Sequence, residues 1–371
     1  MPTSSADAFD RRVHCVLGLP FDEIDTAAAV ARVRDAAARR RPTFLSTPNL
    51  NFVVGCLGDR AFRDSVIHSD LSVPDGMPVV WVARLLGIPI RERVTGAGLF
   101  ERLGEPGAPP LKVYFFGGAE GVAAQACRRV NERGAGLVCV GCEYPGFGDL
   151  EDLSREDRIE SINASGADFL VVSLGARKGQ AWIERNRARI RVPVVSHLGA
   201  VLNFAAGRVR RAPGWMQQSG LEWLWRVKEE HALWRRYFGD GLAFLRLLAT
   251  RVAPLAWQLH RSRPSPGELR AAKLVERESW REHVVRLRGA WVAGNLGPLR
   301  DCFTRLAPRP KRLRLDLAGV THADTSFLGL LLLLYGERSR RGLHLSLGPV
   351  SPRVERLVRL GCGEFLLGGA R

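Results

Sequence analysis

No stretch of this 371-residue chain approaches the roughly 18 consecutive apolar residues that a membrane-spanning helix needs. The longest such run, FLGLLLLLYG from Phe327 to Gly336, is short and reads as a buried core helix. A secretory leader is also missing. The N-terminus is polar, so the chain is expected to work in the cytoplasm, with its odd set of seven cysteines reduced. Zinc spacing is absent too: Cys139-Val140-Gly141-Cys142 is formally a Cys-x-x-Cys string, but no second cysteine or histidine pair follows at a useful distance, and no metal is expected. No known nucleic-acid motif appears, so no nucleic-acid partner is expected. Lysine is scarce, and arginine carries almost all of a formal net charge of +17. That surplus calls for an anionic partner, here membrane headgroups or a phosphorylated substrate.

What is present is a rhythm. KVYFFGG (112–118), GLVCVG (136–141), ADFLVVSLG (167–175) and VPVVSHLG (192–199) read as buried strands, the first three each followed by a helical pattern. PTFLSTPNLNFVVG (42–55) reads as strand, turn and helix. Repeated β-α-β units mean an α/β fold with a mostly parallel sheet. The strand-end loops at 47–49, 74–76, 117–121 and 175–180 are then expected along one edge, the carboxyl ends of the strands. From Glu222 the chain turns rich in tryptophan and arginine and helical in pattern, and RSRPSPGE (261–268) has a linker's composition. About a hundred residues follow, with three strand-like and three helical stretches, a second and smaller α/β domain.

Four strand-end motifs could carry chemistry. FFGGAEGVAAQA could cradle a diphosphate with its backbone N–H groups, although plain tight turns look the same. It is not the full dinucleotide fingerprint, and no acid is expected at the end of the next strand to hold a ribose, which argues against a dehydrogenase. Thr47-Pro48-Asn49 offers a hydroxyl and an amide, or simply a capped helix start. RERVTGAG (91–98) sets cations beside a glycine turn. In LSVPDGMPVV, Asp75 stands alone between a proline and a glycine, where it is either an N-cap or a catalytic base.

The order of these motifs resembles the WecG/TagA/CpsF family of glycosyltransferases. The likeness continues through GFGD (146–149), SLGARKGQAW (173–182), AAGRVRRAPGW (205–215), GLEWLWRV (220–227) and RRY (235–237), covering roughly residues 12 to 250. It implies a Rossmann-like, GT-E type domain over residues 1–250. The implied reaction is inverting, metal-independent transfer from a UDP-sugar to a polyprenyl-diphosphate-linked sugar, without a cofactor, at the cytoplasmic membrane face. By the same resemblance Asp75 is the catalytic base, a role a positioned carboxylate suits. Thr47, Asn49, Arg93, Gly96, Gly117, Gly118, Gly175, Lys178, Gln180, Asn203, Arg211, Arg235 and Arg236 are the implied substrate-binding residues.

The chain also departs from the family pattern. Gly-x-Pro-Lys-Gln-Glu-x-Trp is here Gly175-Ala176-Arg177-Lys178-Gly179-Gln180-Ala181-Trp182, so glycine replaces the glutamine and Gln180 the acid. Asn203 stands where the family has aspartate, and an acid expected near Gly98 is missing. The base is kept, which favours an altered donor or acceptor over a silent enzyme.

Residues 269–371 resemble a STAS domain, carried by LRLDLAGVTHADTSFLGLLLLL (313–334), with Asp324-Thr325-Ser326 before its helix and Phe327 where a glycine is usual. The resemblance implies a protein partner, with either regulation by phosphorylation at Thr325 or Ser326 or plain docking without phosphorylation. Residues 222–260 are expected to lie on an anionic membrane surface, and the 261–268 linker to separate independently folding parts. Self-association is a further expectation. The competing reading is a catalytically silent scaffold that recruits polysaccharide-synthesis partners through its STAS-like domain.

Overall fold

A computed structural model describes residues 8–107, 109–209, 212–219, 222–229 and 234–368. Two strands the sequence reading did not separate open the chain: β1 (Val13–Val16) and β2 (Leu19–Asp22) form an antiparallel hairpin. Its turn needs a glycine. Gly18 has φ +84°, and a Cβ there would lie 2.6 Å from the Cys362 carbonyl oxygen.

Six further strands form the parallel sheet: β3 (Thr43–Ser46), β4 (Leu71–Ser72), β5 (Leu111–Gly117), β6 (Leu137–Glu143), β7 (Phe169–Ser173) and β8 (Val194–His197). Their spatial order is β4-β3-β8-β7-β5-β6, with every neighbouring pair parallel. Strands buried on both faces are apolar throughout, which is why runs such as FLVV read as continuous rather than alternating. One side of the sheet packs Phe115, Val171 and Val194 against helices that include Val122–Arg133 and Gly199–Ala205. On the other side Phe116 and Tyr114 meet Trp182 and Ile183 of the helix Ala176–Asn186.

β6 runs to Glu143, two residues beyond the expected strand. An acid therefore does stand at the end of the strand after the glycine-rich turn, and the expectation that none would is corrected. Glu143 lies 3.4 Å from Arg158, an ion pair with its own chain. A second correction concerns the thiols. Cys127, on the helix Val122–Arg133, and Cys139 of β6 are joined as a disulfide, with Cα atoms 5.2 Å apart. Helix and strand pack side by side, so residues 12 apart in sequence face each other without any motif to announce it. Cys15, Cys56, Cys142, Cys302 and Cys362 are free.

The second sheet has the order β12-β11-β10-β9, built from β9 (Lys273–Glu278), β10 (Glu282–Trp291), β11 (Arg312–Ala323) and β12 (Leu345–Val350). β9 was not anticipated; it pairs antiparallel with β10, while the other pairs are parallel. The greasy run sits in the helix Thr325–Arg340, as its composition suggested, and residues 325 to 338 are all buried.

The described residues form two compact units: 24–80 with 91–242, and 8–23 with 81–90 and 243–368. The stretch 261–268 thus lies inside the second unit, and its Ser265 caps a short helix, Pro266–Arg270, through a capping box. The β1–β2 hairpin belongs to the second unit as well. It lies on the helix Thr325–Arg340 so closely that a Cβ at Gly329 would come 2.7 Å from the Val13 carbonyl oxygen. Just before the hairpin, Phe9 meets Phe303 edge-on at 6.0 Å.

Candidate active site

Because the six strands run parallel, the loops after β3, β4, β5, β7 and β8 open on one edge of the sheet. Three of the sequence motifs are stitched together there by backbone hydrogen bonds. The Asp75 N–H donates to the Pro48 carbonyl at 3.0 Å, and the Val94 N–H to the Pro74 carbonyl at 3.0 Å. The Asp75 carboxylate (Oδ2) accepts the Gly96 N–H at 3.2 Å. That N–H opens the helix Gly96–Leu103, so Asp75 supports a neighbouring helix. The carboxylate is half-buried.

Thr47 is buried beside this junction, its Oγ1 3.6 Å from where a Gly96 Cβ would stand. Asn49 caps the helix Leu50–Gly58, accepting the Phe52 N–H at 3.2 Å. Arg93 forms an ion pair of 2.8 Å with Glu222, both side chains largely buried. The pair anchors the helix Glu222–Glu229 to the loop before Gly96. A second tether is Asn51, which donates to Asp240 at 3.2 Å. Burial raises the Asp240 carboxyl above the usual carboxylate range. Arg235 and Arg236 sit one turn before it on the helix Trp234–Leu247, both exposed, with their guanidinium groups over Trp234 and Tyr237.

The glycine-rich turn approaches from the other half of the sheet. Gly117 and Gly118 have φ of +111° and +81°, and Cβ atoms there would meet the Ser173 carbonyl oxygen at 2.4 Å and Leu202 at 2.5 Å. Gly175 also has positive φ, +81°, but faces open space at the start of the helix Ala176–Asn186.

Gln180 and Lys178, also expected as ligands, are engaged elsewhere. Gln180 is fully buried and donates to Ser46 Oγ at 3.0 Å, beneath the loop edge and inside the core. Lys178 is exposed and donates to the Gly148 carbonyl at 2.8 Å, fastening the GFGD loop. Asn203 is half-buried on the helix Gly199–Ala205. Arg211 lies outside the described residues. Among the described residues no group of three or more His, Cys, Asp or Glu side chains could hold a metal.

Residues 14–256 match the family model of the WecG/TagA/CpsF glycosyl transferases. The chain belongs to that family. Residues 275–362 match a STAS domain. Among curated proteins it is similar to an N-acetylglucosaminyldiphosphoundecaprenol N-acetyl-beta-D-mannosaminyltransferase of Bacillus spizizenii, 28% identical over 53% of this chain and 76% of the relative. Proteins of the same name from Bacillus subtilis (26% identical, 52% of this chain, 73% of the relative) and Staphylococcus aureus MRSA252 (25%, 57% and 83%) are similar too. The chain is therefore a glycosyltransferase-family domain with a STAS domain behind it.

In the STAS domain of this family member, Thr325 and Ser326 do not face solvent. Both are 4% exposed, and each hydroxyl oxygen lies 3.0 Å from His14 Nδ1 of the β1–β2 hairpin. The two residues expected as phosphorylation sites are thus covered ones. Sequence reasoning could not see this, because the partner is 311 residues away. Burial holds the His14 imidazole below its ordinary pKa, against the pull of Asp324 and Glu23.

His197, at the end of β8, was also missed. Burial alone pushes its pKa from 6.5 down to about 4. A group whose folded pKa is lowered contributes stability above its unfolded pKa and loses it as pH falls through the folded one. Between pH 6.5 and about 4, His197 should therefore cost the folded chain on the order of 3 kcal/mol. Chemical denaturation at stepped pH measures this: the His197→Phe variant should lose most of the acid slope in that window, and an unchanged slope would refute the assignment.

Proposed function

We propose that this chain transfers a sugar, with inversion, from a UDP-sugar to a sugar carried on a polyprenyl diphosphate, in the synthesis of a cell-surface glycan. The observation that carries the reading is Asp75, its backbone N–H bonded to Pro48 and its carboxylate to the Gly96 N–H, where three loops of the parallel sheet converge. A carboxylate there removes the acceptor hydroxyl's proton as that oxygen attacks the anomeric carbon from the face opposite the leaving diphosphate. Thr47 and Arg93 line the same junction, and Gly117, Gly118 and Gly175 offer backbone N–H groups to the donor. Arg235, Arg236 and Arg211 supply positive charge to the departing UDP, which makes a metal unnecessary for that task. The names of the curated relatives support the lipid-linked acceptor. UDP release from a panel of UDP-sugars, with and without a lipid-diphosphate acceptor, tests the proposal. Release from none of them would favour the silent scaffold.

No helix among the described residues is long and apolar enough to cross a membrane. We place the protein peripherally on the cytoplasmic membrane face instead. Trp215, Trp234, Phe238, Leu242, Leu245 and Trp257 are all more than half exposed, an unusual number of large apolar side chains in water. Arginines stand among them, and each contributes on the order of 1 kcal/mol against an anionic leaflet. Vesicle binding should rise with anionic lipid and weaken with salt, and Arg235→Glu with Arg236→Glu should reduce it about tenfold or more. Equal binding to neutral and anionic vesicles, unmoved by the double reversal, would exclude the idea. The covered Thr325 and Ser326 favour a STAS domain that acts within its own chain, binding the β1–β2 hairpin.

A further inference from the structure

We infer that His197 is a specificity-determining residue that hydrogen-bonds an uncharged polar substituent of the donor sugar, a hydroxyl or an acetamido group, from space that Gly179 leaves open. The inference rests on the transferase reading above.

The first observation is steric. A Cβ built at Gly179 would stand 2.1 Å from His197 Cδ2 and 3.0 Å from its Nε2. No side chain at 179 can coexist with this imidazole. The ring from the strand end occupies the volume that the glycine leaves free. Gly199 borders the ring on another side, its Cβ position 3.4 Å from Nε2. Phe52 completes the surroundings, with ring centroids 6.3 Å apart.

The second observation is chemical. His197 is 6% exposed, and its Nε2 has no hydrogen-bond partner among the described residues. Buried polar groups are nearly always paired, and an orphan at a site calls for an explanation such as a ligand that completes it. His197 ends β8, which lies between β3 and β7; those strands lead into Thr47 and Gly175, and Asp75 follows the next strand outward, β4. The orphan nitrogen is thus at the edge where the donor is proposed to bind. Half-exposed Gly199 adjoins it.

The third observation selects the ligand group. Burial keeps the ring neutral near pH 7. A neutral imidazole presents one donor and one acceptor but no charge, a match for a hydroxyl or an amide and a poor one for diphosphate.

The test uses the full chain with 15N-labelled histidine, the His197 ring signals being assigned by their loss in His197→Phe. UDP, UDP-glucose, UDP-N-acetylglucosamine and UDP-N-acetylmannosamine are added separately. The expected result is a shift of the Nε2 resonance with at least one UDP-sugar and none with UDP. Shifts with no sugar, or an equal shift with UDP alone, would overturn the inference. In turnover, His197→Phe should change the ratio of kcat/KM between the two best donors by at least tenfold while inhibition by UDP stays the same; an unchanged ratio would also overturn it. Should His197→Phe not fold, Gly179→Gln with His197→Gly replaces it in both measurements. Failure of the transferase reading would look different: the wild-type chain would release no UDP from any donor with acceptor present, whatever the ring signals do.

Discussion

Asp75→Asn is expected to lower sugar transfer by about 100- to 10,000-fold, the usual cost of losing a general base. Little else should change. The carboxylate accepts the Gly96 N–H, and an asparagine oxygen can accept it equally well, so the helix Gly96–Leu103 keeps its support. The backbone bonds from Asp75 to Pro48 and from Val94 to Pro74 do not involve the side chain at all. Thermal unfolding and calorimetric binding of UDP should therefore match the wild type. The experiment separates two roles the site allows. If Asp75 only braces a neighbouring helix, Asp75→Asn keeps more than half of wild-type turnover. If it takes the acceptor's proton, turnover collapses in a folded protein that still binds UDP.

The second large effect concerns the chain cut after residue 263. The linker composition of RSRPSPGE suggests a fragment that folds alone, and the structure argues the reverse. Phe9, Val13, Val16, Leu19 and Phe21 are each at most 1% exposed. The hairpin that carries most of them lies on the helix Thr325–Arg340, and Phe9 meets Phe303; the cut removes both partners. Full burial of such a side chain is worth about 1.5–3 kcal/mol. Exposing even half of this set costs about 5 kcal/mol, a large share of the roughly 5–15 kcal/mol that holds a typical domain folded. Residues 1–263 should accordingly be recovered mostly in the insoluble fraction, or melt at least 10 °C below the full chain. A soluble fragment with the full chain's melting temperature would show that the hairpin does not depend on the STAS domain.

Much of the architecture was legible because its signals are local. Continuous apolar runs of four to seven residues between helical patterns specify buried parallel strands. That pattern alone brings the loops expected at 47–49, 74–76, 117–121 and 175–180 to one edge, where the structure has them except that residues 176–180 already belong to the helix Ala176–Asn186. Asp75 stood out because a lone acid between proline and glycine at a strand end has few roles open to it. The weaker readings failed for a common reason. Gln180 looked like a ligand from its place in a motif, but the helix Ala176–Asn186 turns it inward to Ser46, and which face of a helix is covered depends on what packs there. The β1–β2 hairpin, two strands of four residues each, is too short to announce itself by pattern.

By itself, then, the sequence determined the parallel α/β core, the family and the motif order, and it singled out Asp75 as the candidate base. Tertiary structure alone decided which surfaces stay open. It covered Thr325 and Ser326 with a hairpin from the other end of the chain, paired Cys127 with Cys139, and placed the His197 ring against Gly179. Each of these joins residues from different elements. Periodicity and capping report the conformation of a segment through interactions a few residues long, whereas such contacts arise only when separate segments pack, and neither partner carries a mark of the other.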